Sequence, residues 1–139
     1  MTVVADTSFV LALMDAKDIG HGRARDWYAE YSGSLVTTPL AVAEMDHLIR
    51  GRIGRDAARA LEDQIEEGSL IVRWWPADVF ETIAVSRSNP RVGLSDASLV
   101  VLASRLETTS IATFDLKDFR KLRPLTGEAA FTLLPADAR

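Results

Sequence analysis

The sequence contains no cysteine, which excludes disulfide bonds, zinc–thiolate sites and thiol nucleophiles. It has no basic N-terminal segment followed by an apolar one, and no apolar run approaches the ~20 residues that span a bilayer. We therefore expect neither export nor membrane insertion, and the lack of a disulfide framework favours the cytoplasm. Glycine-rich phosphate-binding motifs are missing as well. No G-x-G-x-x-G follows a predicted strand and no G-x-x-x-x-G-K-[ST] occurs, so dinucleotide and nucleoside triphosphate binding are disfavoured.

The sequence also has fewer basic than acidic residues. The 139 residues include 16 basic and 20 acidic side chains, for a formal net charge of −4. This balance disfavours binding to nucleic acid through overall positive charge. Bound divalent cations would change the local charge, however, and two of them would bring the formal total to zero. The acidic balance therefore does not exclude a phosphate-bearing substrate.

The composition is otherwise that of a globular protein, with 47% hydrophobic and 26% charged residues. No proline- or glycine-rich linker divides the chain, so we expect one domain over residues 1–139. Apolar runs predict strands at residues 3–5, 35–37, 70–72, 111–113 and 131–133. Helical patterns predict helices at 9–14, 24–31, 39–51, 55–67, 80–88 and from 95 or 96 to 106. This alternation predicts an α/β fold with a parallel sheet covered on both faces.

Acidic residues occur where such a fold places its ligands. Asp6 and Asp115 come after the first and fourth predicted strands. Asp96 lies at the start of a predicted helix, and Glu44 about one turn into another. Ligands of parallel sheets bind beyond the carboxyl ends of the strands, at a switch point in strand order. If the first and fourth strands are neighbours, we expect all four carboxylates at one rim.

Carboxylates that converge repel one another, so such a set indicates a hard cation such as Mg²⁺ or Mn²⁺. Two such ions roughly 4 Å apart can generate a hydroxide nucleophile and neutralise charge on a phosphodiester. Each acid also has a common structural interpretation. Asp6 and Asp96 are good helix N-caps, Glu44 suits a solvated helix surface, and Asp115 suits a turn cap.

The segments DTSFVLAL, PLAVAE, LSDASLVVLA and IATFDLKDF occur in this order. With them, the chain from Val3 to about Leu134 resembles the PIN-domain ribonucleases, and within them the VapC toxins of bacterial toxin–antitoxin pairs. The resemblance implies a three-layer α/β/α fold whose five-stranded parallel sheet has the order 3-2-1-4-5. It implies a Mg²⁺-dependent endoribonuclease, with Mn²⁺ as a substitute and one or two ions, that cleaves structured RNA such as tRNA or rRNA. The implied partners are a VapB-like antitoxin and a second copy of the chain, with a larger toxin–antitoxin assembly as an extension.

The resemblance also implies roles for individual residues. It makes the four acids the catalytic and metal-binding groups: Asp6, Glu44, Asp96 and Asp115. Ser8 and Thr113 match small hydroxyl positions that can hydrogen-bond a carboxylate. Asp118 matches a position that is often acidic. It either shares a second metal ion or caps the turn before Phe119.

Two groups of basic residues flank these segments. Lys117, Arg120 and Lys121, with Arg123, follow Asp115 directly, and we interpret them as contacts to RNA phosphates. The earlier group we interpret as a solvated helix face with acidic partners: Arg50, Arg52, Arg55 and Arg59. His21 and His47 suit structural roles. The aromatic residues suit the core or a protein interface: Trp27, Tyr28, Tyr31, Trp74 and Trp75.

Two other functions compete with RNA cleavage. A haloacid-dehalogenase-like phosphatase also has an aspartate after its first strand, but it needs a second aspartate two residues later, where this chain has Ser8. A binding module that has lost activity would act only through its partner. The presence of all four acids disfavours that interpretation.

Overall fold

The computed structural model describes residues 1–139 and contains one five-stranded sheet in the order β3-β2-β1-β4-β5. All strand pairs are parallel. The predicted strand order is therefore confirmed. Along the chain the elements are β1 (Thr2–Ala5), α1 (Thr7–Met14), α2 (His21–Glu30), β2 (Ser34–Thr37), α3 (Pro39–Arg52), α4 (Arg55–Glu67), β3 (Leu70–Val72), α5 (Asp78–Ser88), α6 (Leu94–Arg105), β4 (Ser110–Ala112), α7 (Leu116–Phe119) and β5 (Thr132–Leu134).

The order of the strands reverses at β1. In register, Val4 of β1 pairs with Val36 of β2 on one side and with Ile111 of β4 on the other. Parallel connections are right-handed, so the helices that follow β1 and β2 cover one face and those that follow β3 cover the other. This gives the predicted three-layer α/β/α arrangement. It also places the switch point between β1 and β4.

The helix α6 is buried along most of its length. Its residues from Ala97 to Ala103 are all buried, and it packs against α5, α3 and β1. A helix segment that is buried on every side must be covered on every side, which the surrounding elements achieve. Its first turn, from Leu94, starts one residue before the predicted start at Ser95. That turn carries Asp96.

Glycines account for two helix ends. The helix α4 ends as predicted at Glu67, because Gly68 adopts a left-handed conformation with φ of 86°. The helix α3 was predicted to end near Gly51, but it continues to Arg52. The break comes at Gly54, whose φ of 141° strongly favours glycine. The predicted end near Gly51 is confirmed to within one residue, and Gly51 itself stays helical because a glycine in a helix costs only ~1 kcal/mol.

The short helix α7 was not predicted, and α1, α2 and α5 begin two or three residues earlier than predicted. The strands differ by small shifts of their ends. The strand β4 ends at Ala112, one residue before the predicted end, and β5 lies one residue later than predicted. Tyr31 lies just beyond α2 rather than within it. Strand pairing in short strands is decided by neighbours across the sheet, which a single sequence does not display.

Aromatic side chains support the core, as predicted. Trp27 meets Phe9 edge-on with ring centroids 5.4 Å apart and stacks on Tyr31 at 4.7 Å. Trp75 lies beneath the guanidinium of Arg105, which also contacts the buried carboxylate of Asp78 at 2.7 Å. Such contacts are typical of packed, partly buried aromatics. No helix combines the length and the hydrophobicity that crossing a membrane requires.

Candidate active site

An open cavity of about 420 Å³ lies at the carboxyl ends of β1 and β4. All four acids singled out from the sequence line it: Asp6, Glu44, Asp96 and Asp115. They come from the strand–helix junction after β1, from α3, from the first turn of α6 and from the segment after β4. The structure therefore brings the four acids together at the predicted rim. Their role as metal ligands stays a prediction.

Asp6 is held by two hydroxyl groups. The Oγ of Ser8 and the Oγ1 of Thr113 each donate a hydrogen bond to its Oδ2, both at 2.7 Å. The hydroxyls in turn accept hydrogen bonds from the backbone amides of Phe114 and Asp115, each at 2.9 Å. Because both hydroxyl protons are directed at Oδ2, the other carboxylate oxygen of Asp6, Oδ1, is left without a side-chain partner.

This network decides between the interpretations of Asp6. The residue is at the N-cap position of α1, yet its side chain makes no capping hydrogen bond. Its carboxylate is buried with only 3% of the residue exposed. Burial at this level is costly for an acid without a cation, so capping does not explain the residue. Ser8 and Thr113 have the geometry of supporting groups that orient it.

A second group of acids lies beside Asp6. Carboxylate oxygens of Asp96, Asp115 and Asp118 all lie within 4.8 Å of one another. The backbone amide of Asp118 donates to Oδ1 of Asp115 at 3.4 Å, so the residue that caps α7 is Asp115. The structure therefore places Asp118 with the acidic cluster and gives the capping contact to its neighbour.

The electrostatics of the cluster favour a bound cation. Burial raises the pKa of Asp6 above its ordinary value, despite the hydroxyl donors. Burial also raises the pKa of Asp115. The pKa of Asp96 rises to about 7, first through burial and then through the nearby charges of Asp6, Asp115, Glu44 and Asp118. A set made only of carboxylates, with no histidine or cysteine, suits a hard cation such as Mg²⁺ or Mn²⁺.

Hydroxyl contacts fix α3 against α6. Ser98 donates to the carbonyl of Ser95 at 2.6 Å, so in its 2.7 Å contact with Thr38 the threonine is the donor. Thr38 also caps α3 by accepting from the amide of Ala41. The hydroxyl of Ser95 lies 3.5 Å from Oε1 of Glu44, at the long limit of a hydrogen bond. The exposed Glu44 is thereby kept beside the first turn of α6.

Some residues that line the cavity were not expected from the sequence. They include Asp18, Phe114 and Arg52. Arg52 lies two turns beyond Glu44 on α3, and Leu48 between them lines the same cavity. The i, i+4, i+8 spacing was the available signal, because residues at that spacing share a helix face. The sequence pattern instead assigned Arg52 to a solvated, charged helix face.

The other candidates from the sequence have the following environments. Arg120 binds Asp137 through two hydrogen bonds of 2.8 and 2.6 Å, which hold the pKa of Asp137 at about 2. Lys117 and Lys121 are exposed and make no ion pair. His21 contacts the carbonyl of Ala12 at 2.7 Å, a structural role. Neither histidine lines the cavity.

Comparisons with known proteins agree with this geometry. The PIN domain family model matches residues 3–124. Ribonuclease VapC26 of Mycobacterium tuberculosis is 33% identical over 136 residues, which covers 96% of this chain and 100% of that relative. The crystal structure of the M. tuberculosis toxin VapC20, described as cleaving the sarcin–ricin loop, superposes with a TM-score of 0.73 at 23% identity, covering 81% of this chain and 89% of the toxin. FitAcB from Neisseria gonorrhoeae superposes with a TM-score of 0.56 at 15% identity, over 84% of this chain and 88% of that one.

Proposed function

Since the chain belongs to the PIN-domain family and is an endoribonuclease, as its similarity to a VapC ribonuclease indicates, we propose that it is a Mg²⁺-dependent toxin. The observation that carries the proposal is the convergence of four acids from four separate elements on one cavity. Two of them, Asp96 and Asp115, also have carboxylate oxygens within 4.8 Å of each other and of one on Asp118. No arrangement of caps or solvated acids explains that convergence.

We assign the cation to the carboxylates of Asp6, Glu44, Asp96 and Asp115, and we add Asp118 on the strength of its position in the cluster. A divalent ion held there supplies Lewis-acid activation of water and neutralises charge that develops on the scissile phosphodiester. Mn²⁺ would substitute for Mg²⁺, and the cavity has acids enough for one ion or two.

The protein's own groups do the positioning. Ser8 and Thr113 donate to one oxygen of Asp6 and so fix the direction of its other oxygen. Across the cavity, the hydroxyl of Ser95 lies 3.5 Å from Oε1 of Glu44, a longer contact at an exposed position. Preorganised groups of this kind lose no free energy to reorientation during the reaction. Asp96, whose pKa is raised by burial and by the charges of its neighbours, must be ionised to bind the cation.

We further propose that residues 1–139 form one PIN domain. The strand β5 lies beyond the residues that the family model matches, but it pairs with β4 from Ser110 to Ala112. The salt bridge between Arg120 and Asp137 also joins the C-terminal segment to the region after α7. These contacts make the C-terminal residues part of the same unit.

The proposed substrate is a structured cellular RNA such as tRNA or rRNA, which locates the protein in the cytoplasm. The proposed partners are a VapB-like antitoxin that inhibits cleavage and a second copy of the chain. Growth arrest after induced expression, relieved by co-expression of a small neighbouring gene, is the expected sign of the antitoxin. Light scattering of the purified toxin should give the mass of two chains. Growth arrest that no neighbouring gene relieves would remove the antitoxin from the proposal, and the mass of one chain would remove the homodimer.

The central test uses the purified protein, free of antitoxin, with total cellular RNA and Mg²⁺. We expect a small set of discrete new 5′ ends, because toxins of this kind select sites by RNA shape and by exposed single-stranded loops. Hydrolysis of a small phosphomonoester without any effect on RNA would instead favour the phosphatase. Inertness toward both substrates would favour the inactive binding module.

A further inference from the structure

A second cavity is lined by one member of the acidic cluster, Asp118. It has a volume of about 280 Å³ and is lined by Asp118, Arg91 and Lys121 among others. The first cavity is lined by Asp96 and Asp115. Because the carboxylate of Asp118 lies within 4.8 Å of both of those carboxylates, the acidic cluster contributes residues to both cavities.

Each cavity carries cations that the protein itself does not neutralise. In the first, Arg52 is the one basic residue among five acids: Asp6, Asp18, Glu44, Asp96 and Asp115. It forms an ion pair with none of them. In the second, Arg91 and Lys121 are likewise exposed and unpaired. By contrast, neighbouring Arg50 pairs with Asp46 at 2.9 Å, and Arg120 pairs with Asp137.

We propose that the two cavities form one track for an extended single strand of RNA, with Arg52 binding the backbone on one side of the scissile bond and Arg91 and Lys121 binding it on the other. The assignment rests on the proposed ribonuclease activity and names its substrate subsites. Phosphate contacts of this kind set the register of a nucleic acid on a protein. An overall acidic chain can then hold RNA, because its unpaired cations line the two cavities to which the cluster contributes.

The track gives a role to the positions of Arg52 and Arg91, which the fold alone does not explain. Arg52 reaches the cavity only because α3 continues through Gly51. Arg91 follows α5 in the segment that leads into α6, close to the turn that carries Asp96. Both arginines are therefore attached to elements that also position the acids. A shift of either element would move the backbone contacts and the catalytic groups together.

The test is a steady-state measurement on an oligonucleotide of roughly 12 nucleotides, a length in the range that single-strand sites cover, centred on the cut mapped above. Arg52→Ala and Arg91→Ala are each expected to raise KM about tenfold with little change in kcat, the effect of losing one charge-assisted hydrogen bond. Each should also reduce the salt dependence of log kcat/KM by about 0.7. Matched controls are Arg59→Ala and Arg87→Ala, which remove the same charge from exposed positions outside both cavities.

Truncated oligonucleotides locate the two contacts. The Arg52→Ala effect should disappear when nucleotides are removed from one side of the cut, and the Arg91→Ala effect when they are removed from the other. In the double variant the two increases in KM should multiply, because separate contacts contribute independently. Variants that behave like the controls, or two effects that vanish with truncation on the same side, would overturn the track. Since the wild-type protein must cut the same oligonucleotide, failure of the track is distinguishable from failure of the ribonuclease activity.

Discussion

Replacing Asp96 with asparagine is expected to lower RNA cleavage by about a thousandfold, because loss of a metal ligand removes several kcal/mol of transition-state stabilisation. The side chain lies in the first turn of α6 and shares the cluster with Asp115 and Asp118. Asparagine keeps the size of the side chain and removes its charge. The measurement is kcat/KM for the mapped oligonucleotide, with circular dichroism to confirm the fold.

The same substitution should stabilise the metal-free protein. In the unfolded chain Asp96 ionises near the ordinary aspartate pKa of 3.8, whereas in the fold its pKa is about 7. The folded state therefore binds more protons over this interval, and the free energy of unfolding falls as pH rises from about 4 to 7. At pH 8, Asp96→Asn removes this cost, on the order of 1–2 kcal/mol once solvent screening of a half-buried group is allowed for. Thermal unfolding in EDTA should show a rise in Tm of roughly 5 °C.

Asp96→Asn is expected to lose activity and gain stability, a combination that damage to the fold would not produce. The matched control is Asp63→Asn on the exposed face of α4, which should change neither activity nor stability.

Thr113→Val, which removes one donor to Asp6, should lower activity about 10–100-fold, as is usual for groups that orient a ligand. If Asp6→Asn and Asp96→Asn both retain cleavage, the carboxylate mechanism is wrong.

Removal of divalent metal should stop cleavage completely and reversibly. The carboxylates in the cavity have only Arg52 beside them, and that side chain pairs with no acid. The protein alone therefore offers no strong electrophile for the phosphodiester. Excess EDTA is expected to abolish the new 5′ ends, and excess Mg²⁺ or Mn²⁺ should restore them.

A control without RNA separates metal binding from catalysis. Mg²⁺ at about a hundred times its Kd should stabilise the wild-type fold by ~2.7 kcal/mol. The gain should shrink in Asp96→Asn, because a ligand has been lost. Continued cleavage in excess EDTA would refute the metal role, and an unchanged Tm with Mg²⁺ would show that the cluster does not bind the ion.

Much of the fold was predictable because the strands are short apolar runs separated by helices with clear ends. The bounds of α4 and β3 follow from Arg55, Gly68 and the Leu70–Val72 run, and the structure has them as predicted. The four acids were also brought together as expected, since the carboxyl ends of parallel strands share one edge of the sheet. For these elements and for the four acids, the local sequence pattern and the rule on the carboxyl ends of parallel strands were sufficient.

Other parts of the site depend on tertiary contacts. Arg120 was predicted to contact RNA, and the structure gives it a further partner, Asp137, which follows β5 in the sequence. Asp118 was open between metal binding and capping; its backbone amide donates to Asp115, which caps α7, and its role as a metal ligand stays a prediction. Arg52 was assigned to a solvated helix face, yet it lines the cavity together with Glu44. In each case a partner distant in sequence, or the path of the backbone, set the environment of the side chain.

The hydroxyl network around Asp6 has a consequence for the synthesis of the protein. Thr113 lies 107 residues beyond Asp6, and the other aspartates of the cluster come from the final third of the chain. A ribosome translating this message exposes the N-terminal acids long before their partners exist. Domains fold as units during synthesis, so the nascent chain has no assembled active site until its last strands emerge. Ribonuclease activity therefore begins only when synthesis of the chain is nearly complete.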